Sequence, residues 1–409
     1  MRYLKYCAVR EETLLTPESV TSRSTYLDWD TQPSSFKHYP HFCHRLKLSD
    51  YSALQWLEQT RCITDKTIIA QKPYYRLNVP SAGNLHPIEI YVQLRNIEGI
   101  LSGIYHLDVF NNELVLITEL GIEGIEPFVG LENRFNGALV MISLVPFRTS
   151  WKYGLRGWRY LYLDLGHQIS ALEKSVHHFN YTLTKMSPQG YLNSVMGFGE
   201  DEVIAAVYGV GEMSERKVRG LSKPLIQVSP CDYVQGDNPL NPIIASEAIY
   251  TKLPISDQYE HFLQMNTNRR SARAFEPSTM NDATIHALLT IPTSATLDII
   301  AVVLHAQSMQ TGIYRKDVCI QSGNFLAECV HLLLNQRFIA RANMVILITT
   351  EKFSATTHVD AGIYAQELYM ACEAQGVGCS GIGAFYDEEA AQWSTHPLLY
   401  AVAIGGKYE

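Results

Sequence analysis

The two halves of this chain echo one another in order, and that repetition restricts the possible folds more than any other feature. Pro80-Ser81-Ala82 is matched by Pro292-Thr293-Ser294, and Gly103-Ile104-Tyr105 by Gly312-Ile313-Tyr314. Leu163-Asp164-Leu165-Gly166 is matched by Val359-Asp360-Ala361-Gly362. Gly197-Phe198, with Glu200-Asp201-Glu202 behind it, is matched by Gly383-Ala384-Phe385 and Asp387-Glu388-Glu389. The separation shrinks steadily along the chain, as if loops had been trimmed from the second copy. A solenoid would repeat at a far shorter period. A chain of 409 residues suits two domains of about 200. Turn-forming clusters at Ser229-Pro230, Gly236-Asp237-Asn238-Pro239 and Asn241-Pro242 mark the boundary. The chain therefore divides into a first domain, 1–235, a linker, 236–254, and a shortened second domain, 255–409.

Alternation and apolar runs predict strands over Glu89–Leu94, Leu114–Thr118, Ala138–Val145, Ile299–Ala306 and Met344–Thr350. Helical patterns run from about Arg159 to Phe179 and from about Ala361 to Gln375, with Gly376 as a stop. Mixed strands and helices predict α+β, with a mixed or antiparallel sheet flanked by helices in each domain. A net charge of −8 lacks the basic face that nucleic acid would require. No apolar run reaches membrane-spanning length, and the N-terminus lacks a signal-peptide core. Eight scattered cysteines without a CxxC pair read as reduced thiols in a cytoplasmic protein. His41-Phe42-Cys43-His44 has no second ligand pair at zinc spacing, so no metal site is expected.

The copies are unequally equipped. The first carries Pro80-Ser81-Ala82-Gly83-Asn84-Leu85-His86-Pro87, a turn whose small residues leave room for a flat heteroaromatic ring and whose Ser and Asn supply polar contacts. The second has lost the equivalents of Gly83, Asn84 and Pro87, but opens with Asn268-Arg269-Arg270-Ser271-Ala272-Arg273-Ala274-Phe275. Three guanidinium groups and a hydroxyl so close together suit a phosphate. The first copy has nothing equivalent.

RRSxRxF near a domain start, a Pro-Ser-x-x-Asn loop before a strand and a late GxG segment together resemble the flavin-dependent nitroreductase superfamily. The first half is similar to its SagB/ThcOx branch of azoline dehydrogenases. The residues that carry this are Trp29-Asp30, Pro33-Ser34-Ser35-Phe36-Lys37-His38-Tyr39-Pro40, Gly103-Ile104-Tyr105-His106, Trp151-Lys152-Tyr153-Gly154 with Arg156, Gly157, Arg159 and Tyr160, and Leu163-Asp164 with Gly166-His167. The likeness covers about 26–210 well and 260–406 more loosely. Departures are the missing RRSxR in the first half, an unusual segment around Gly197–Gly199, and the lack of a peptide-leader domain.

The resemblance implies two tandem nitroreductase-like domains folded as an intramolecular pseudo-dimer with FMN between them. Arg269, Arg270, Ser271 and Arg273, with Lys407, would hold the phosphate. Pro80, Ser81, Ala82 and Asn84 would contact the ring, and Gly381, Ile382 and Gly383 would present backbone N–H groups to it. Lys152 and Tyr153 would be catalytic, a lysine amine or a tyrosinate taking the substrate proton while the flavin takes hydride. Three functions follow: an FMN-dependent dehydrogenase or oxidase of a biosynthetic intermediate, most concretely azoline to azole with dioxygen as acceptor; an NAD(P)H-dependent nitro-, quinone- or enone reductase; or a non-catalytic scaffold of a modification complex. The substrate would be a small molecule or a peptide delivered by a biosynthetic partner protein, and further oligomerisation stays open.

Overall fold

The computed structural model describes the chain except residues 1–7, 23–26, 70, 190, 233–237, 242, 245–260 and 409. The predicted linker, 236–254, lies largely outside the described residues.

The first sheet has seven antiparallel strands, in spatial order Arg45–Lys47, Glu113–Glu119, Gly103–Asp108, Ile88–Arg95, Asn133–Leu144, Val203–Lys217 and Leu183–Met186. The second has six, in the order Val318–Ser322, Gly312–Arg315, Asp298–Val303, Met344–Thr349, Leu398–Gly406 and Val377–Ile382. Apart from the added edge strand Arg45–Lys47, the two sheets share one order. In each, three strands run outward as a meander, the fourth lies on the other side of the first, and the last inserts beside the fourth. The fold is α+β as expected, and two like sheet bodies are consistent with a tandem arrangement. The echoed motifs take matching positions: Tyr105 donates its hydroxyl proton to the Leu101 carbonyl at 2.7 Å, and Tyr314 does the same to Gln310 at 2.6 Å.

Between its fourth and fifth strands each body sends out a long helix, Gly157–His178 in the first and Ala355–Ala374 in the second. The second begins earlier than its apolar pattern predicts, because Ser354 and Thr357 form a reciprocal capping box. It stops before Gly376, whose φ of +69° suits glycine. The two helices cross at the echoed glycines. A Cβ on Gly166 would lie 2.1 Å from the Val359 carbonyl oxygen, and one on Gly362 would lie 2.2 Å from that of Leu163. Only glycine permits this approach.

The close crossing lets each helix fill both cores. One core packs Ile90, Val92 and Leu94 of the first sheet with Leu165 and Ile169 of the first helix and Val359 and Ile363 of the second. The other packs Val303, Ile346 and Val402 with Tyr364 and Leu368, and takes Tyr160 and Leu163 from the first helix. Among the described residues no helix is long and apolar enough to cross a membrane.

Candidate functional site

The Pro80 turn leads into strand Ile88–Arg95 through left-handed backbone at Gly83, Asn84 and His86, with φ of +64°, +59° and +51°. Its shape is fixed from below by the first long helix. The Asp164 carboxylate accepts the Ser81 hydroxyl proton at 2.7 Å and the Ala82 N–H at 3.1 Å, while Ser81 Oγ accepts the His86 N–H at 3.0 Å. Asn84 donates through Nδ2 to the Tyr75 carbonyl at 2.8 Å. Arg148, buried, donates to the His86 carbonyl at 2.9 Å and so ties the turn to the sheet. On the open side a Cβ at Gly83 would lie 2.6 Å from the Tyr153 hydroxyl, so glycine lets Tyr153 lie against the turn.

The arginine segment of the second half follows helix Phe262–Asn268 and meets the same region. Arg269 is buried; it donates to the carbonyls of Asn78 at 2.6 Å and Leu77 at 2.8 Å, leaving Nη1 buried without a hydrogen-bond partner among the described residues. Arg270 turns to the hairpin Ile63–Leu77 and donates to Thr64 Oγ1 at 3.0 Å. Ser271 Oγ is 2.8 Å from the Tyr369 hydroxyl, and Arg273 donates to Ser380 Oγ at 3.2 Å. Strand Val377–Ile382 then brings in the glycine segment, whose Gly381 N–H donates to Tyr369 Oη at 2.8 Å. The missing side chains make room for tyrosines: a Cβ on Gly381 would meet the Tyr400 hydroxyl at 2.0 Å, and one on Gly383 would meet Tyr160 at 2.5 Å.

These pieces wall a cleft of about 190 Å³. Pro80, Ser81, Ala82, Gly83, Tyr153, Tyr160, Leu163 and Asp164 come from the first half. Ser271, Arg273, Gln336, Tyr369, Gly381, Ile382, Gly383, Ala384 and Tyr400 come from the second. Of the residues singled out by the sequence, the structure brings Pro80, Ser81, Ala82, Tyr153, Ser271, Arg273, Gly381, Ile382 and Gly383 together here. Lys152, Asn84, Arg269, Arg270 and Lys407 do not line the cleft. Lys407 is exposed and pairs with Glu373 at 3.1 Å. Lys152 is half-buried, its Nζ 5.3 Å from the Trp29 ring centre and 5.4 Å from that of Tyr153.

Burial sets the protonation of the cleft. It raises the Tyr153 phenol, with help from Tyr160 and Asp164, and raises that of Tyr400, with help from Tyr369. Burial thus favours the neutral phenol at both positions. Burial lowers the Lys152 amine, favouring its neutral form. It pushes Asp164 up to about 7 against the hydrogen bonds from Ser81 and Ala82. Asp164, Tyr369 and Tyr400 were not singled out as site residues from the sequence. Asp164 stood in an echoed motif, but the two tyrosines carry no local signal.

Residues 267–406 match the Nitroreductase family model. A nitroreductase-like protein of Methanocaldococcus jannaschii is 30% identical over 92 residues, which is 22% of this chain and 46% of that protein; the match spans about half the relative's length. Among solved structures, a nitroreductase-like protein from Anabaena variabilis superposes with a TM-score of 0.80 over 99% of both chains at 20% identity. An FMN-dependent nitroreductase from Clostridium difficile R20291 aligns over 34% of this chain and 84% of its own, at 17% identity and a TM-score of 0.26. Residues 267–406 are thus similar to the Nitroreductase family, and the chain as a whole shares the fold of the Anabaena variabilis protein.

Proposed function

We propose that this cleft holds FMN and that the protein is an FMN-dependent dehydrogenase or oxidase of a biosynthetic intermediate, most concretely one that oxidises a thiazoline or oxazoline in a modified peptide, with dioxygen as final acceptor. The observation that carries the reading is the shared cleft: a small-residue turn from 1–235 faces an arginine–serine segment and a glycine strand from 255–409. The shared strand order and the glycine crossing support a tandem duplication folded as an intramolecular pseudo-dimer.

The residues present suit a phosphate-bearing planar ring. Ser271 and Arg273 put a hydroxyl and a guanidinium at one side of the cleft, and close behind the Pro80 turn Arg269 keeps a buried Nη1 without a hydrogen-bond partner among the described residues. The glycines at 83, 381 and 383 let Tyr153, Tyr400 and Tyr160 lie close against the walls. FMN, when bound, supplies the hydride-accepting ring. Lys152, outside the cleft lining, acts as base by way of Tyr153, which lines it: the amine lies 5.4 Å from the Tyr153 ring centre, and burial lowers its pKa. A base of this kind suits removal of a proton from a carbon acid, whereas a simple reductase takes its proton from solvent. The substrate is a peptide or peptide-like metabolite, presented by a biosynthetic partner protein.

The test is purification and anaerobic titration. The protein takes up FMN with a yellow flavin spectrum, and an azoline-containing peptide bleaches it without NAD(P)H. Bleaching by NAD(P)H alone selects the reductase, and a protein that takes up no FMN selects the scaffold.

A further inference from the structure

The Ser81 hydroxyl is a poor donor to anything in the cleft while Asp164 is ionised. Its single proton is committed to Asp164 Oδ2 at 2.7 Å, and its oxygen already accepts the His86 N–H at 3.0 Å. Asp164 is only 6% exposed, yet it lines the cleft. Protonation would reverse the bond: the carboxyl O–H donates to Ser81 Oγ, and the Ser81 proton is released to turn into the cleft. The pair has two hydrogen-bond arrangements that differ by one proton taken from solvent, with no other bond made or broken.

We propose that Asp164 is the proton store of the cleft, taking up one proton as negative charge accumulates above Ser81 and returning it when that charge leaves. This rests on the reading of the cleft as a flavin site, whose ring becomes more negative on reduction. The groups facing the carboxylate fit the role. The buried Arg61 guanidinium attracts it from the end of helix Gln55–Thr60, and the Tyr153 and Tyr400 phenols face it uncharged. Arg61 does not cancel the cost of burial, so the carboxyl titrates near neutrality and a nearby anion drives it protonated. Asp360 in the second half accepts the Thr296 hydroxyl proton at 2.6 Å in the same manner but lies outside the lining of the cleft, which makes it the internal control.

The experiment follows the flavin midpoint potential against pH for wild type, Asp164→Asn and Asp360→Asn. Below about pH 7 the three plots run together. Above it wild type and Asp360→Asn fall more steeply, by one further proton per two electrons, and Asp164→Asn does not. Superimposed plots for wild type and Asp164→Asn overturn the proposal. An infrared titration of the cofactor-free protein gives an independent reading, and decides alone if Asp164→Asn fails to retain FMN. A protonated-carboxyl band grows as pH falls through about 7 in wild type and in Asp360→Asn. Its absence from wild type overturns the store whatever binds in the cleft, whereas failure of wild type to bind FMN, with the band present, overturns the flavin reading instead.

Discussion

Arg269 and Arg273 stand in one short motif but perform separable work. Arg269 holds two main-chain carbonyls just ahead of the Pro80 turn, and charge-assisted bonds of this kind are each worth about 1.5–3 kcal/mol. Arg269→Ala should therefore lower unfolding stability by about 3 kcal/mol in a urea titration, and Arg269→Lys should not restore it, because one ammonium cannot span both carbonyls. Arg273 is exposed on the cleft wall, donates to Ser380 Oγ and lies over the Phe338 ring. Arg273→Ala should leave stability within about 0.5 kcal/mol of wild type and weaken FMN binding roughly tenfold or more by fluorescence titration. Lys152 makes a prediction in pH. Burial depresses its amine pKa, and with the neutral amine as the proposed base, turnover should rise with pH and level off below the ordinary lysine value of 10.5. Lys152→Arg should keep FMN, lose about a hundredfold or more in rate, and lose the rise. The contiguous part of the site was legible in sequence because a turn or an arginine run is a local object. Tyr369 and Tyr400 were not, since a helix and a strand far apart in the chain place them against Gly381.

At the scale of elements, the strands expected at Glu89–Leu94 and Met344–Thr350 formed within a residue of their ends, because each is buried along its whole length. The helix predicted from about Ala361 begins at Ala355; its hydrophobic residues did not announce the start, which the polar pair Ser354 and Thr357 sets. Strand Val203–Lys217 went unread because its second half is polar and extends past the buried part of the sheet. The crossing of the two long helices is the element most sensitive to change. Gly166→Ala or Gly362→Ala would force the backbones apart and should cost about 3 kcal/mol or more, since neither helix can yield without opening both cores. Reduced thermal stability together with loss of the flavin spectrum would be the signature; full retention of both would refute the account of the crossing.

Across the whole molecule, the two bodies share their cores. Tyr160 and Leu163 of the first complete the core of the second, and Val359 and Ile363 of the second complete that of the first. Urea unfolding followed by tryptophan fluorescence and by far-UV circular dichroism should give one coincident transition. Two separated transitions would show that the helices do not couple the bodies. The ordered echoes led to a tandem plan with which the two like sheet bodies are consistent, but the degree of interlock was not legible, because it depends on an approach between backbones that only the crossing glycines permit.

The interlock has a consequence for how such a molecule changes over generations. In an assembly of two identical chains, every substitution is printed twice, and a residue that helps one pocket burdens its twin. Here the turn and the arginine wall are encoded at separate addresses. Selection can retune either face alone, while the shared spine of helices keeps their stoichiometry at one to one.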